Sequence, residues 1–286
     1  MLYLKAIALT GELWDYVDEE QYTTEMSEFF KVYKLNRDMD DIKEFLVSIP
    51  HIEETLVLSS DKEILDLSKH YGAAVLPCEL SGLENFVGYE HVISSFQEAD
   101  YLTLDKMYRR DKGIPWEILR TKRAIIREET VEDIDALYKM YESEHIKRFI
   151  EPLYPEYDKE REYVEKYIKY IYGMYEYGIW IAEDIDTGAI IGRVGLEPKT
   201  FEDDVRGITM GYIIDKAYIR QGYCLELCTA VMDYARDVLN LNTLYLLIRW
   251  DNDVSKHIAE KLGFVYEKTL TDRDRQMCRY KIAFNK

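Results

Sequence analysis

Cysteine, histidine and proline are scarce in this chain, at four, five and six residues out of 286. The cysteines are Cys78, Cys224, Cys228 and Cys278. They form no CxxC pair and no ligand set with the histidines, so neither a disulfide framework nor a metal site is expected, and reduced, buried thiols are. Long apolar runs are also missing. The run Met1–Leu9 is too short to span a bilayer and lacks the basic start of a signal peptide. A cytoplasmic protein is expected. Positive charge is in deficit, with 37 Lys and Arg against 55 Asp and Glu, a net charge of -18. Such a field repels phosphate backbones and anionic membrane surfaces, so neither nucleic acid nor membrane is expected as a partner. A cationic or amine-bearing acceptor meets no such penalty, although acidity for solubility alone would look the same.

What is present is a normal apolar fraction, 47%, and an unusual number of tyrosines, 25. Tyrosine combines a large ring with a polar tip and suits crevice walls. The length suggests one large or two ordinary domains. Gly113-Ile-Pro-Trp116 punctuates the chain inside a joint, residues 101–123, that reads as helical over Tyr101–Arg110 and Glu117–Lys122. Upstream, Thr55–Ser59 reads as a buried strand and Ser60 or Asp61 as the cap of a helix Lys62–Tyr71, ended by Gly72. Ala73–Leu76 reads as a second strand, which completes a parallel β-α-β unit. Residues 20–48 read as mainly helical, anchored by Met26, Phe29, Phe30 and Tyr33. Residues 1–100 are therefore expected to form a small α/β, Rossmann-like domain.

Downstream, the order reads β-α-α-β-β-β-α-β-α-β-β. Strands are expected at Ala124–Glu128, Ile179–Ile185, Ala189–Leu196, Ile208–Asp215, Thr243–Arg249, Phe264–Lys268 and Cys278–Phe284. Thr130 caps a helix from Val131, and a tyrosine-rich helix covers 158–177. Asp186-Thr-Gly188 is a hairpin turn. A mixed sheet with helices on both faces follows.

The stretch Met210–Glu226 reads strand, tight loop, helix. Gly222 lies where the chain turns closely before a helix N-terminus, with Arg220 beside it. Free N–H groups and the helix dipole make that an anion site, or else simply a strand-to-helix turn. A second segment, Asn252–Phe264, follows the strand ending at Arg249. Together, Gln221-Gly-Tyr-Cys-Leu-Glu226 and Asn252-x-x-Ser255 with Lys261-Leu-Gly-Phe264 resemble the two signature regions of the GNAT (Gcn5-related) N-acetyltransferase superfamily, in the branch of the ribosomal-protein alanine acetyltransferases. The resemblance covers residues 124–286. It implies a GNAT fold, α/β (α+β), with a mixed, mostly antiparallel sheet flanked by helices.

It also implies acetyl-CoA as cosubstrate, no metal, and direct transfer of an acetyl group to a primary amine on a small molecule or peptide. Ile213, Ile214 and Asp215 would offer backbone groups to the pantetheine arm. Arg220, Gln221, Gly222, Tyr223, Cys224 and Leu225 would hold the pyrophosphate, and Asn252 and Ser255 would face the thioester. A homodimer is admitted.

Three departures stand out. Ile219 replaces the usual Arg or Gln before the loop glycine, Ala259 replaces a tyrosine acid, and Thr209 and Met210 replace a glutamate base. Glu197 is the carboxylate expected to act as base, or else a solvated side chain beside Pro198. Ser255 is expected either to assist the leaving thiolate or to cap its helix. His257 reads as an exposed helix residue, and Cys224 as a small filler.

Tyr163, Tyr167, Tyr170, Met174 and Tyr177 fall near one helical face, as an acceptor wall or as core. Glu151, Glu156 and Asp158 would attract a cationic acceptor or solvate a loop. Leu58-Ser-Ser-Asp61 resembles a haloacid-dehalogenase-like or Rossmann-like half, but no Asp-x-Asp nucleophile pair and no GxGxxG is present. The competing reading is a non-catalytic acyl-CoA-binding or scaffolding protein that recognises partners through its N-terminal domain.

Overall fold

The computed structural model describes residues 2–35, 39–79, 86–89, 91–96 and 99–284. It contains two compact units, Met1–Trp116 and Glu117–Lys286. Each has its own sheet. Among the described residues no helix is long and apolar enough to cross a membrane.

The first unit runs β1 (Ala6–Thr10), α1 (Glu19–Ser27), β2 (Lys31–Leu35), α2 (Met39–Ser48), β3 (Thr55–Ser59), α3 (Lys62–His70), β4 (Ala74–Pro77) and α4 (Tyr101–Asp111). The strands pair in parallel in the order β2-β1-β3-β4. Every residue of β1 and β3 is buried, because helices cover both faces. Ile7, Leu9 and Leu58 meet Tyr22, Met26 and Tyr108 on one face. Ala8 and Val57 meet Ile42, Leu46 and Ile64 on the other.

Residues 20–48 are mainly helical, as expected, but the strand β2 lies between α1 and α2. Tyr33 stands on that strand, and Phe29 is exposed rather than anchoring the core. The helical joint 101–123 is also divided. Leu104, Asp105 and Tyr108 of α4 are buried in the first unit, where Asp105 accepts the N–H groups of Tyr3 and Leu4, each at 2.7 Å. Glu117–Arg120 is a strand, β5, not a helix, because an antiparallel partner takes its backbone groups.

That partner is β6 (Ala124–Arg127). The second unit continues with α5 (Ile134–Tyr141), α6 (Glu144–Phe149), α7 (Tyr157–Tyr167), a π-helical turn (Ile168–Tyr172) and α8 (Gly173–Tyr175). Then come β7 (Ile179–Asp184), β8 (Ile190–Thr200), β9 (Arg206–Ile214), α9 (Tyr223–Asp237), β10 (Thr243–Arg249), α10 (Asp253–Lys261), β11 (Val265–Asp272) and β12 (Arg275–Ala283). The sheet order is β11-β12-β10-β9-β8-β7-β6-β5. Its neighbours are antiparallel except β9 and β10. Met210, Leu246 and Ile248 pack with Leu227, Cys228 and Ala259 from α9 and α10. Ile181 packs with Leu137, Met140 and Ile146 from α5 and α6. The mixed, mostly antiparallel sheet flanked by helices agrees with the sequence reading.

Candidate active site

β9 pairs with β8 along its whole length, from Thr200↔Arg206 to Gly192↔Ile214. Against β10 its register is a single pair, Tyr245↔Thr209. Past that pair the two parallel strands part. In the ladder to β8, the Asp215 N–H donates to the Ile191 carbonyl at 2.8 Å. Backbone groups alternate in direction along a strand, so Ile213 and Asp215 face β8 while Tyr212 and Ile214 face the gap. Of the three residues expected to offer backbone groups there, Ile214 alone does. Its carbonyl already accepts from Nε2 of His145 at 3.1 Å. That ring nitrogen therefore carries a hydrogen, and Nδ1 is hydrogen-bonded to the Ser143 hydroxyl at 2.7 Å. The Ile214 N–H and the backbone of Tyr212 are the groups turned to the opening.

The loop after β9 is shaped by its own polar groups. Asp215 Oδ1 accepts from the Ala217 N–H, and Gln221 Nε2 donates to the Ala217 carbonyl, both at 2.7 Å. Arg220 and Gly222 have φ of 62° and 85°, the left-handed region that glycine adopts without strain. Gly222 is the N-cap of α9 and supplies no side-chain cap. The first N–H groups of α9, on Tyr223, Cys224 and Leu225, thus receive no side-chain cap from Gly222 and sit at the positive end of the helix dipole.

A brace not visible in the local sequence holds this loop. Arg123 Nη1 donates to the Gln221 carbonyl at 3.0 Å, and its Nε donates to Glu226 Oε2 at 2.7 Å. The Thr121 hydroxyl donates to Glu226 Oε1 at 2.7 Å. The Arg123 guanidinium also lies 3.9 Å from the Tyr223 ring centre. Burial pushes the Glu226 carboxyl up, but hydrogen bonds from Thr121 and Arg123 outweigh it and hold the group below its ordinary value.

Across the gap, Asn252 caps α10, its Oδ1 accepting the Ser255 N–H at 3.1 Å. The capping role open to Ser255 therefore belongs to Asn252. The half-buried Tyr212 reaches from β9 to α10, its hydroxyl donating to the Ser255 carbonyl at 3.4 Å. Burial, with Cys224 and Cys228 nearby, pushes this phenol up. Tyr212 thus brings a protonated hydroxyl to a helix whose own tyrosine position is the fully buried Ala259. His257 is exposed, as expected.

Leu196 points into the core under α9, so its neighbour Glu197 points to the other face. Glu197 pairs with Thr209, and Thr209 pairs with Tyr245. The three form one row across β8, β9 and β10, at the vertex of the gap. Glu197 Oε1 accepts from the Tyr167 hydroxyl at 3.4 Å.

The tyrosine wall differs from the helical-face expectation. Tyr167 and Tyr172 are buried, whereas Tyr170 and Met174 are 54% and 69% exposed, so the latter two leave the wall. The π-helical turn resets the phase between them. Glu151 and Glu156 are exposed and paired at 3.0 Å with Arg273 and Lys159 respectively, and Asp158 is also exposed. Deeper, Arg193 Nη2 donates to Glu129 Oε2 at 2.5 Å, and Arg193 Nη1 donates to the Tyr141 hydroxyl at 3.2 Å. Burial raises the Glu129 carboxyl against the pull of Arg193. Among the described residues no group of His, Cys, Asp and Glu is placed to hold a metal.

The sequence profile of the acetyltransferase (GNAT) domain matches residues 123–265, half of the chain. The uncharacterized protein YkkB of Bacillus subtilis is 32% identical over 96 residues, 34% of this chain and 55% of that protein. The match thus spans about half the length of YkkB. The uncharacterized N-acetyltransferase YoaA of Bacillus subtilis is 28% identical over 160 residues, 54% of this chain and 85% of that protein. Among solved structures, RimL, a ribosomal alpha-N-protein acetyltransferase, superposes with a TM-score of 0.50 at 14% identity, covering 59% of this chain and 95% of that one. That likeness is one of fold. The chain belongs to the GNAT acetyltransferase family.

Proposed function

We propose that the chain is an N-acetyltransferase that moves the acetyl group of acetyl-CoA directly to a primary amine. The observation that carries this reading is the gap between β9 and β10, with an uncapped helix N-terminus at its open end and Glu197 level with its vertex. Acetyl-CoA supplies an acyl group already activated as a thioester. Residues Arg220–Leu225 fit its pyrophosphate, since Gly222 adds no side chain and gives the first N–H groups of α9 no side-chain cap. Tyr212 and Ile214 offer main-chain groups to the pantetheine arm, and Asn252 and Ser255 line the far side.

Glu197 accepts the proton that the amine must lose. Tyr212, a phenol kept protonated by burial, supplies a proton toward the leaving sulfur, with the Ser255 hydroxyl as a second donor. The rest of the rate comes from orientation. The acceptor is a small molecule or peptide bearing a free amine, met in the cytoplasm. The non-catalytic scaffolding reading draws on Ala259, Thr209 and Met210 standing where the family places an acid and a base. Tyr212 and Glu197 supply both groups from neighbouring strands, which favours the enzyme. The test is free-thiol release from acetyl-CoA with a panel of amines, alongside calorimetric titration with acetyl-CoA. Tight binding with no amine-dependent thiol release would favour the scaffold.

A further inference from the structure

Ile179 opens β7, and its backbone looks past the end of a strand. Ile181 pairs with Arg127, the last residue of β6. Ile179 lies two residues earlier on the same edge, where β6 has already turned away, so its N–H and carbonyl have no strand to pair with. Two tyrosine hydroxyls take the place of that strand. The Ile179 N–H donates to the Tyr167 hydroxyl at 2.8 Å, and the Tyr172 hydroxyl donates to the Ile179 carbonyl at 2.6 Å. Tyr172 also accepts the Glu129 N–H at 3.1 Å.

Residues five apart on an α-helix point about 140° away from each other. The π-helical turn Ile168–Tyr172 brings Tyr167 and Tyr172 round to one peptide. Gly178 makes room for both. A Cβ there would lie 2.7 Å from the Tyr172 ring and 3.0 Å from the Tyr167 hydroxyl.

The hydroxyl of Tyr167 has one hydrogen to give. Its oxygen is already an acceptor for Ile179, so the hydrogen must go elsewhere, and Glu197 Oε1 stands 3.4 Å away. Tyr167 is buried and its position is held by the peptide it clasps, whereas Glu197 is exposed. We propose that Tyr167 is a positioning residue, fixed by the Ile179 clasp, which orients the Glu197 carboxylate toward the vertex of the β9–β10 gap. This rests on Glu197 acting as the base.

The test is a double-mutant cycle on the full chain, read as free-thiol release from acetyl-CoA with n-butylamine, putrescine and an alanyl peptide. Tyr167→Phe should lower kcat about tenfold, the low end for a hydrogen bond to an ionised group, and leave KM for acetyl-CoA within about twofold. In a Glu197→Gln background it should cost nothing further. Gly178→Ala keeps the phenol but displaces it, and should show the same kinetics and the same loss of effect over Glu197→Gln. It carries the comparison if Tyr167→Phe does not fold. Additive losses in the double variants, or a wild-type kcat in Tyr167→Phe, would overturn the positioning role. A wild-type kcat in Glu197→Gln would instead remove the base beneath it. No thiol release by the unmodified chain with any of the three amines would sink the transfer reading.

Discussion

Glu197 and Thr209 stand opposite each other on β8 and β9, and Thr209 is also the residue at which β9 meets β10. A carboxylate is thereby held beside the point where two parallel strands begin to diverge. Such a row has a chemical consequence. On the proposed reading, the thioester of a cosubstrate lying in the gap ends next to that carboxylate.

Glu197→Gln should lower turnover by about a hundredfold near neutral pH while leaving acetyl-CoA affinity within about twofold, because a base acts on the amine alone. The deficit should shrink as pH rises from about 6 to about 9, since a growing fraction of the amine has then lost its proton unaided. Rate profiles of both proteins with one working amine check this. A deficit of constant size across the range would mean that Glu197 serves in binding.

Gly222→Asp should weaken acetyl-CoA binding by about tenfold or more, because it brings negative charge to the cap of α9. The φ of 85° adds backbone strain for any side chain. A Cβ there would lie 3.6 Å from Arg123 Nη2, an ordinary contact, so crowding is not the cause. Gly222→Ala should therefore bind better than the aspartate variant. Calorimetric titration of the three proteins decides it, and equal affinities in folded variants would remove the loop from the site.

Asp203 sets part of the acid stability of the second unit. It accepts from Arg279 Nη1 and Nη2 at 2.9 and 3.0 Å and pairs with Lys268. Hydrogen bonds from Arg279 and then Lys268 hold its carboxyl well below the ordinary 3.8. The folded value lies below the unfolded one, so the contribution is full above 3.8 and is lost as pH falls from there through the folded value. Asp203→Asn should lower the denaturation midpoint at neutral pH, and the two proteins should converge in acid. Parallel curves down to the lowest pH would show that the carboxylate is not the group being titrated.

The site was legible where chemistry and chain position coincide. Gly222 at a strand–helix turn and Asn252 before a helix each carry a local reason for their residue type. The brace on the loop was not, because Thr121 and Arg123 lie about a hundred residues from Glu226 and are brought to it by the sheet. The tyrosine wall was half legible. A period of 3.6 places Tyr167 in the wall, but Tyr163 is exposed, and nothing local announces the π-helical turn that exchanges Tyr170 for Tyr172. In the first unit, Lys31-Val-Tyr-Lys-Leu35 alternates like a strand, yet five residues between helices are too few to outweigh their surroundings.

The joint offers the sharpest test of how the second unit is built. A cut at residue 124 keeps most of the sheet but removes β5, which pairs with β6, and with it Thr121 and Arg123. Glu226 then loses the partners that hold it, and the Gln221 carbonyl loses the Arg123 guanidinium. A cut before Glu117 keeps all of these within one compact unit. Residues 117–286 should therefore melt cooperatively and gain melting temperature on adding acetyl-CoA. Residues 124–286 should melt lower, and their gain should be smaller, because the loop proposed to receive the pyrophosphate has lost its support. Thermal melts of both fragments with and without acetyl-CoA distinguish the cases. Equal gains would show that the brace serves stability alone, and a 117–286 fragment that only aggregates would show that the unit does not fold by itself.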